Sequence, residues 1–289
     1  MKIKLTKNAY GKNAVNLSKI IRHADRHEFR QISVNVSLQG DFETAHTIGD
    51  NSKILPTDTQ KNTVYALAKE HFISSIEAFG LKLSSHFISN NPQVSKCTIE
   101  ITEHLYSSLS FDGKQHPNAY ISNGNEKHTT VIEQSGNNIS VTSGIKDLLI
   151  LKTTDSAFEH YIKDEYTTLK ETSDRILATN CEASWKYNSH QLDFVSVYDN
   201  VRNLLLKTFA HNKSLSVQHT LYDMGEAVLK QFSEVEEISF IMPNKHHILF
   251  NLEQFGMENK NEIFIATDEP FGYITGTVGR EKPPSDFPR

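Results

Sequence analysis

Fourteen histidines invite a metal site, but ligands that grip one ion recur at helical or short-loop spacing. Neither HExxH nor CxxC is present. His246 and His247 are adjacent in a stretch that reads as a strand, where neighbouring side chains point to opposite faces, so two separate histidines are favoured over a shared ion. Cys97 and Cys181, the two cysteines, are far apart. They suit packed thiols in a reducing compartment and cannot supply a multi-thiolate centre or a dense disulfide framework. No metal is expected. Dinucleotide, nucleoside-triphosphate and serine-hydrolase chemistry also lack their local signatures, since no GxGxxG, GxxxxGKS/T or GxSxG occurs. The acid pairs Asp164–Glu165 and Glu236–Glu237 read as solvated surface carboxylates.

Composition narrows the classes further. At 289 residues the chain is long enough for two modest domains, and 37% hydrophobic content supplies a buried core. The net charge of -5 is mild and no basic run stands out, which argues against a nucleic-acid partner. No apolar stretch reaches membrane-spanning length, and Met1 to Asn8 lack the apolar core of a signal peptide. A soluble, cytoplasmic protein is expected. Lys282 to Arg289, rich in Pro and charge, reads as a mobile tail.

Any site must be positioned by the elements that the hydrophobic pattern predicts. Residues Gln31 to Leu38 alternate polar and apolar, the period of a half-buried strand. After Asp58, apolar residues Val64, Leu67, Ala68, Phe72, Ile76 and Phe79 recur at helical spacing and predict one long amphipathic helix ending near Gly80. Two strands follow, through Val94–Ile101 and Tyr120–Ile132. The second half predicts strands near Val141–Leu151 and Ala183–Leu192, with polar connecting structure between Phe158 and Thr179. Helices follow along Val197–Phe209 and Val217–Phe232, then strands at Ile238–Ile241, Ile248–Leu252 and Ile263–Thr267. The element order of the first half is repeated. Paired strands flanking helices favour antiparallel sheets with helices on one face, an α+β fold. The expected division is 1–138, 139–280 and a tail 281–289.

Several longer strings are spread in order along nearly the whole chain: Ala9–Lys12, Thr57–Tyr65, Asp164–Thr172 running into Asp174–Leu177, Ser216–Gln218, and Pro243–His246. Together they resemble the urate oxidase family. The resemblance implies two tandem tunnelling-fold units, each an antiparallel sheet with helices on its outer side, with barrels formed by association into a homotetramer. It also implies active sites between subunits, where first-half residues meet second-half residues of a neighbour.

The implied activity is oxidation of urate by molecular oxygen without a cofactor, giving 5-hydroxyisourate and hydrogen peroxide. By the same resemblance Phe158 stacks on the purine, the Arg175 guanidinium grips one edge with paired donors, and the Gln218 amide grips another. Backbone groups of Val217 and Asp58 add hydrogen bonds. Lys12, Thr57 and His246 form a proton relay, with Lys12 as base, and Asn244 with Thr57 holds oxygen, peroxide or water. Read singly, each residue has a plainer role: core aromatic, surface cation, helix cap or turn residue. The joint match favours the site over a non-catalytic purine or pterin binder, and the lack of a ligand set argues against a metal-dependent pterin cyclase. The ending Asp286–Arg289 is not a Ser-Lys-Leu type peroxisomal signal, which again points to the cytoplasm.

Overall fold

The computed structural model describes residues 3–72 and 74–281; the expected tail, 282–289, lies outside the described residues. Its elements run β1 (Tyr10–Arg22), β2 (His27–Gly40), α1 (Glu43–Thr47), α2 (Thr57–His71), α3 (Ile76–Asn90), β3 (Val94–Phe111), β4 (Lys114–Ser135) and β5 (Asn138–Lys152). They continue with β6 (Leu177–Tyr187), α4 (Phe194–His211), α5 (Val217–Gln231), β7 (Val235–Leu249), a short 3-10 turn at Glu253–Phe255, and β8 (Phe264–Gly279). The chain divides into two compact units, Met1–Gly144 with Lys186–Tyr198 and Ile145–Trp185 with Asp199–Arg289. In both units hydrogen-bonded strands are neighbours in chain order, and β1–β2, β2–β3, β3–β4 and β7–β8 pair antiparallel. The class is α+β with antiparallel pairing, as the sequence pattern predicts.

The first unit shows why. On β2, Ile32, Val34, Val36 and Leu38 are all fully buried while the residues between them are not, so strand alternation alone defines a core face. Cys97, Ile99 and Ile101 of β3 and Ile132 of β4 extend the core. Val64 and Ala68 of α2, and Ile76, Phe79, Leu83 and Phe87 of α3, supply its helical layer.

The predicted single helix is two. Phe72 leaves helical geometry at ψ 81, and Ser75 starts α3 afresh, its hydroxyl accepting from the Ala78 amide at 3.0 Å. An unbroken apolar stripe hides this break, because both helices face the same core. Gly80 therefore lies inside α3 and terminates nothing. A Cβ there would sit 2.7 Å from Cγ1 of Ile132, so glycine permits the close approach of α3 to β4.

Two strands also differ from the pattern. β6 begins at Leu177, earlier than the predicted Ala183, because Leu177, Thr179, Cys181, Ala183, Trp185 and Tyr187 alternate inward. It ends at Tyr187, where Ser189 and its neighbours turn. The segments predicted around Ile238 and Ile248 are one strand, β7, since pairing with β8 continues through Pro243 opposite Tyr273.

A charged cluster is buried between α3 and the sheet of the first unit. His128 Nε2 lies 2.8 Å from Glu77 Oε1, and its Nδ1 lies 3.7 Å from Glu103 Oε2. Arg30 grips Glu103 with two bonds, of 2.6 and 2.8 Å. Ser143 donates to Glu77, and Tyr198 stacks on the imidazole with centroids 3.5 Å apart. Burial alone would raise both carboxyl pKa values and lower that of His128. Mutual charge and hydrogen bonding outweigh it, so Glu77 is lowered, Glu103 falls to about 2, and His128 is raised.

Candidate active site

In the first unit β1 carries an irregularity between Lys12 and Val15. Ala14 adopts a left-handed φ of 54 and donates its amide to Asn35 Oδ1 at 2.8 Å. This bulge turns the strand just after Lys12 and re-aims its half-buried side chain. Gly11 precedes it because a Cβ would strike the Val36 carbonyl at 1.8 Å. Tyr10 ties this strand end to α2, its hydroxyl accepting from the Leu55 amide at 2.8 Å and donating to the Leu55 carbonyl at 3.2 Å. Thr57 and Asp58 open α2 two residues later, and Lys12 is close enough to bear on the Asp58 charge.

Thr57 and Asp58 do not form the cap pair that their plainer reading suggests. The cap position is Pro56, and no side chain caps the helix. The Asp58 carboxylate is held by Lys61 and by Asn62 at 2.9 Å, and hydrogen bonding to Lys61 is the main cause of its lowered pKa. The first-turn amides of α2 have no acceptor within a helix and suit an anion.

The second unit holds Phe158, Arg175, Val217, Gln218, Asn244 and His246. Phe158 sits in an irregular segment fixed by reciprocal backbone bonds with Thr172, of 2.8 and 3.2 Å. Asp174 closes the base of that segment. It accepts from the Thr154 hydroxyl at 2.8 Å, and its carbonyl accepts from the Thr172 hydroxyl at 2.7 Å. The next residue is Arg175, whose guanidinium carbon lies 5.2 Å from the Phe158 ring centre. Burial lowers the Arg175 pKa, and its Nε has no hydrogen-bond partner among the described residues; it remains a cation at any physiological pH. Arg175 opens on a cavity of about 440 Å³ shared with Thr172, Asp174, His247 and Phe264. A larger cleft, about 560 Å³ along Leu249–Asn259, contains none of the predicted site residues.

Ser216 caps α5, accepting from the His219 amide at 3.1 Å. Val217 and Gln218 are thus its first two residues, whose amides have no acceptor within the helix. Val217 is buried and Gln218 exposed, so one offers backbone and the other a side-chain amide. On β7, a register shift separates Asn244, opposite Gly272, from His246, opposite Thr267. His247 lines the Arg175 cavity.

The structure therefore places Lys12, Thr57 and Asp58 near one another in the first unit. In the second it brings Phe158 to Arg175, sets Val217 and Gln218 at a helix start, and puts Asn244 and His246 beside a strand irregularity. The aromatic face, the cationic fork and the free helix-start amides match what a flat anionic heterocycle requires. A family model described as Uricase matches residues 8–133 and 141–275.

The chain belongs to the uricase family.

The uricase of Arthrobacter globiformis is 44% identical over 287 residues, spanning 99% of this chain and 93% of the relative. The uricase of Oryctolagus cuniculus is 37% identical, spanning 96% of this chain and 95% of the relative. Among solved structures, the crystal structure of the Arthrobacter globiformis uricase superposes with a TM-score of 0.93 at 43% identity, covering 100% of this chain and 99% of that one. A urate oxidase of Bacillus sp. TB-90 shares the fold at a TM-score of 0.85 and 23% identity, over 94% of this chain and all of that one.

Sequence reasoning overlooked the residues that fasten the segments carrying the candidate site: Tyr10, Asp174 and Ser214. Two of them stand inside the family strings, beside Lys12 and Arg175, and that adjacency was the available signal. Ser214 lies just outside its string and gave none. Among the described residues no group of three or more His, Cys, Asp or Glu is arranged to hold a metal ion.

Proposed function

We propose that the chain oxidises urate with molecular oxygen and water to 5-hydroxyisourate and hydrogen peroxide, using no cofactor, at sites that combine the two half-sites. The observation that carries the reading is the Arg175 guanidinium beside the Phe158 ring at 5.2 Å. It joins a stacking surface to a planar donor fork, as a planar purine anion demands. Gln218 and the amides of Val217 and Asp58 complete the hydrogen-bonding edge.

The electron-rich urate anion supplies two electrons to oxygen, and the protein's task is to move protons and hold the oxygen species. Lys12 takes a proton from urate, Thr57 relays it, and His246 orients Lys12. Asn244 and Thr57 hold oxygen, then peroxide, then the attacking water. Lys12 and Thr57 belong to the first unit and His246 and Asn244 to the second. A homotetramer that pairs one subunit's first unit with a neighbour's second would complete each site. Among the described residues no helix is long and apolar enough to cross a membrane.

Urate titrated into oxygen-free protein should bind without being consumed, and admitting air should start turnover. Lys12→Met and Thr57→Ala should retain that oxygen-free binding within a few-fold yet lose at least about 100-fold in kcat. Full turnover by either variant would refute the relay, and binding without turnover in the unaltered protein would favour a purine-binding module.

A further inference from the structure

The second unit contains a fully buried hydroxyl pair that touches none of the proposed urate contacts yet links two of them. Ser214 and Thr220 are both 0% exposed, a costly place for hydroxyls unless they are hydrogen-bonded. Both converge on the Ser216 carbonyl, since the Thr220 hydroxyl lies 3.2 Å from it as well as close to Ser214. Asn212 Nδ2 donates to Thr220 Oγ1 at 3.1 Å, Thr220 donates to Ser214 Oγ at 2.7 Å, and Ser214 donates to the Ser216 carbonyl at 3.0 Å. The chain ends on the residue that caps α5, immediately before Val217 and Gln218. Lys152 anchors its other end, donating to the Asn212 carbonyl at 2.6 Å and to its side-chain oxygen at 3.1 Å.

The backbone of Ser214 does a second job. Its amide donates to the Asp155 carbonyl at 2.9 Å, and its carbonyl accepts from the Ala157 amide at 2.7 Å, forming an isolated parallel bridge with Ser156. The residue after Ala157 is Phe158. Ser214 is thus the point where the segment bearing the stacking ring is fastened to the turn that opens α5. Its side chain sets the spacing to one, and its backbone the spacing to the other.

We propose that the Asn212–Thr220–Ser214 chain is a positioning device for substrate, fixing the separation between the Phe158 ring and the first turn of α5 that carries Val217 and Gln218. The inference rests on the urate-binding reading of Phe158 and Gln218. Hydrogen bonds aligned head to tail polarise one another, and a purine held between a ring and a helix start tolerates little drift in their spacing. Removing the middle of the chain should therefore weaken the grip on urate before it affects the proton relay.

The test is Thr220→Val, which keeps shape and removes the hydroxyl, compared with Thr220→Ser, which restores it. The KM for urate, and its dissociation constant without oxygen, should rise roughly ten-fold in Thr220→Val while kcat stays within about two-fold, and Thr220→Ser should recover most of the loss. Ser214→Ala, which spares the backbone bridge, should behave like Thr220→Val and serves in its place if that variant does not fold. A lowered melting temperature with unchanged KM would make the pair structural only and overturn the proposal. Phe158→Ala and Gln218→Ala separate the two levels. If they weaken urate binding and Thr220→Val does not, the positioning role fails alone; if they leave binding unchanged, the urate reading itself fails.

Discussion

Arg175 shows how much a single side chain depends on its surroundings. Its position next to Asp174, whose hydroxyl contacts pin the segment base, and 5.2 Å from Phe158 converts a common surface residue into a half-buried fork. Lysine keeps the charge but cannot present two parallel donors. Arg175→Lys should raise the KM for urate by about 10- to 100-fold, the loss of one or two charge-assisted bonds, with a smaller change in kcat; initial-rate kinetics decide this, and an unchanged KM would remove Arg175 from the binding edge. The candidate residues were legible only as strings. Lys12, Thr57 and Gln218 are ordinary residues one by one, and no hydrophobic period marks them. Tyr10 was invisible as a positioning residue because its partner, Leu55, is 45 positions away in the chain, a separation that local patterns do not report.

At the scale of elements, alternation and helical stripes reported most of the fold, because β2, β3, α4 and α5 each bury one face. They failed where two elements share a face. The α2–α3 break carries a Ser75 cap whose meaning depends on the turn around it, and Gly80 reads as a terminator until Ile132 is seen against it. Gly80→Ala should lower stability by about 1–3 kcal/mol through overpacking, measured as a shifted urea midpoint; no shift would mean that α3 does not press on β4. The buried Glu77–His128–Glu103–Arg30 cluster ties α3 to three strands, and its pH dependence has a definite sign. His128 is raised in the folded state, so its contribution is full below about pH 6.5, the unfolded value, and is lost as pH rises through the folded one. Glu103, lowered to about 2, and Glu77, also lowered, contribute above the ordinary carboxylate range and lose that contribution as pH falls through their folded values. His128→Gln should cost about 3–5 kcal/mol near pH 6, since it leaves the buried Glu77 carboxylate without its cationic partner while Arg30 still holds Glu103, and the cost should shrink as pH rises through the folded pKa of His128. Denaturant unfolding across a series of rising pH tests this, and a cost already small near pH 6 would show that His128 is not charged in the folded protein.

For the whole molecule, the repeated element order and two compact units make a duplicated architecture, with half of the candidate site in each unit. If sites form between chains, two inactive variants should rescue each other. Lys12→Met and His246→Ala subunits, unfolded and reassembled together, should regain up to about a quarter of full activity, since random pairing then gives one site in four two intact halves. Mixing without recovery would place each site within one chain. The repeated element order was legible because it survives divergence in residue identity, whereas a pairing of subunits would leave no local trace in the sequence. The most direct test of the central claim is to mix purified, chelator-treated protein with urate in aerated buffer and follow urate absorbance, oxygen uptake and peroxide together. Equimolar loss of urate and oxygen with matching peroxide, and no added metal, is the predicted result; activity that appears only when a metal is restored would contradict cofactor-free oxidation by this site.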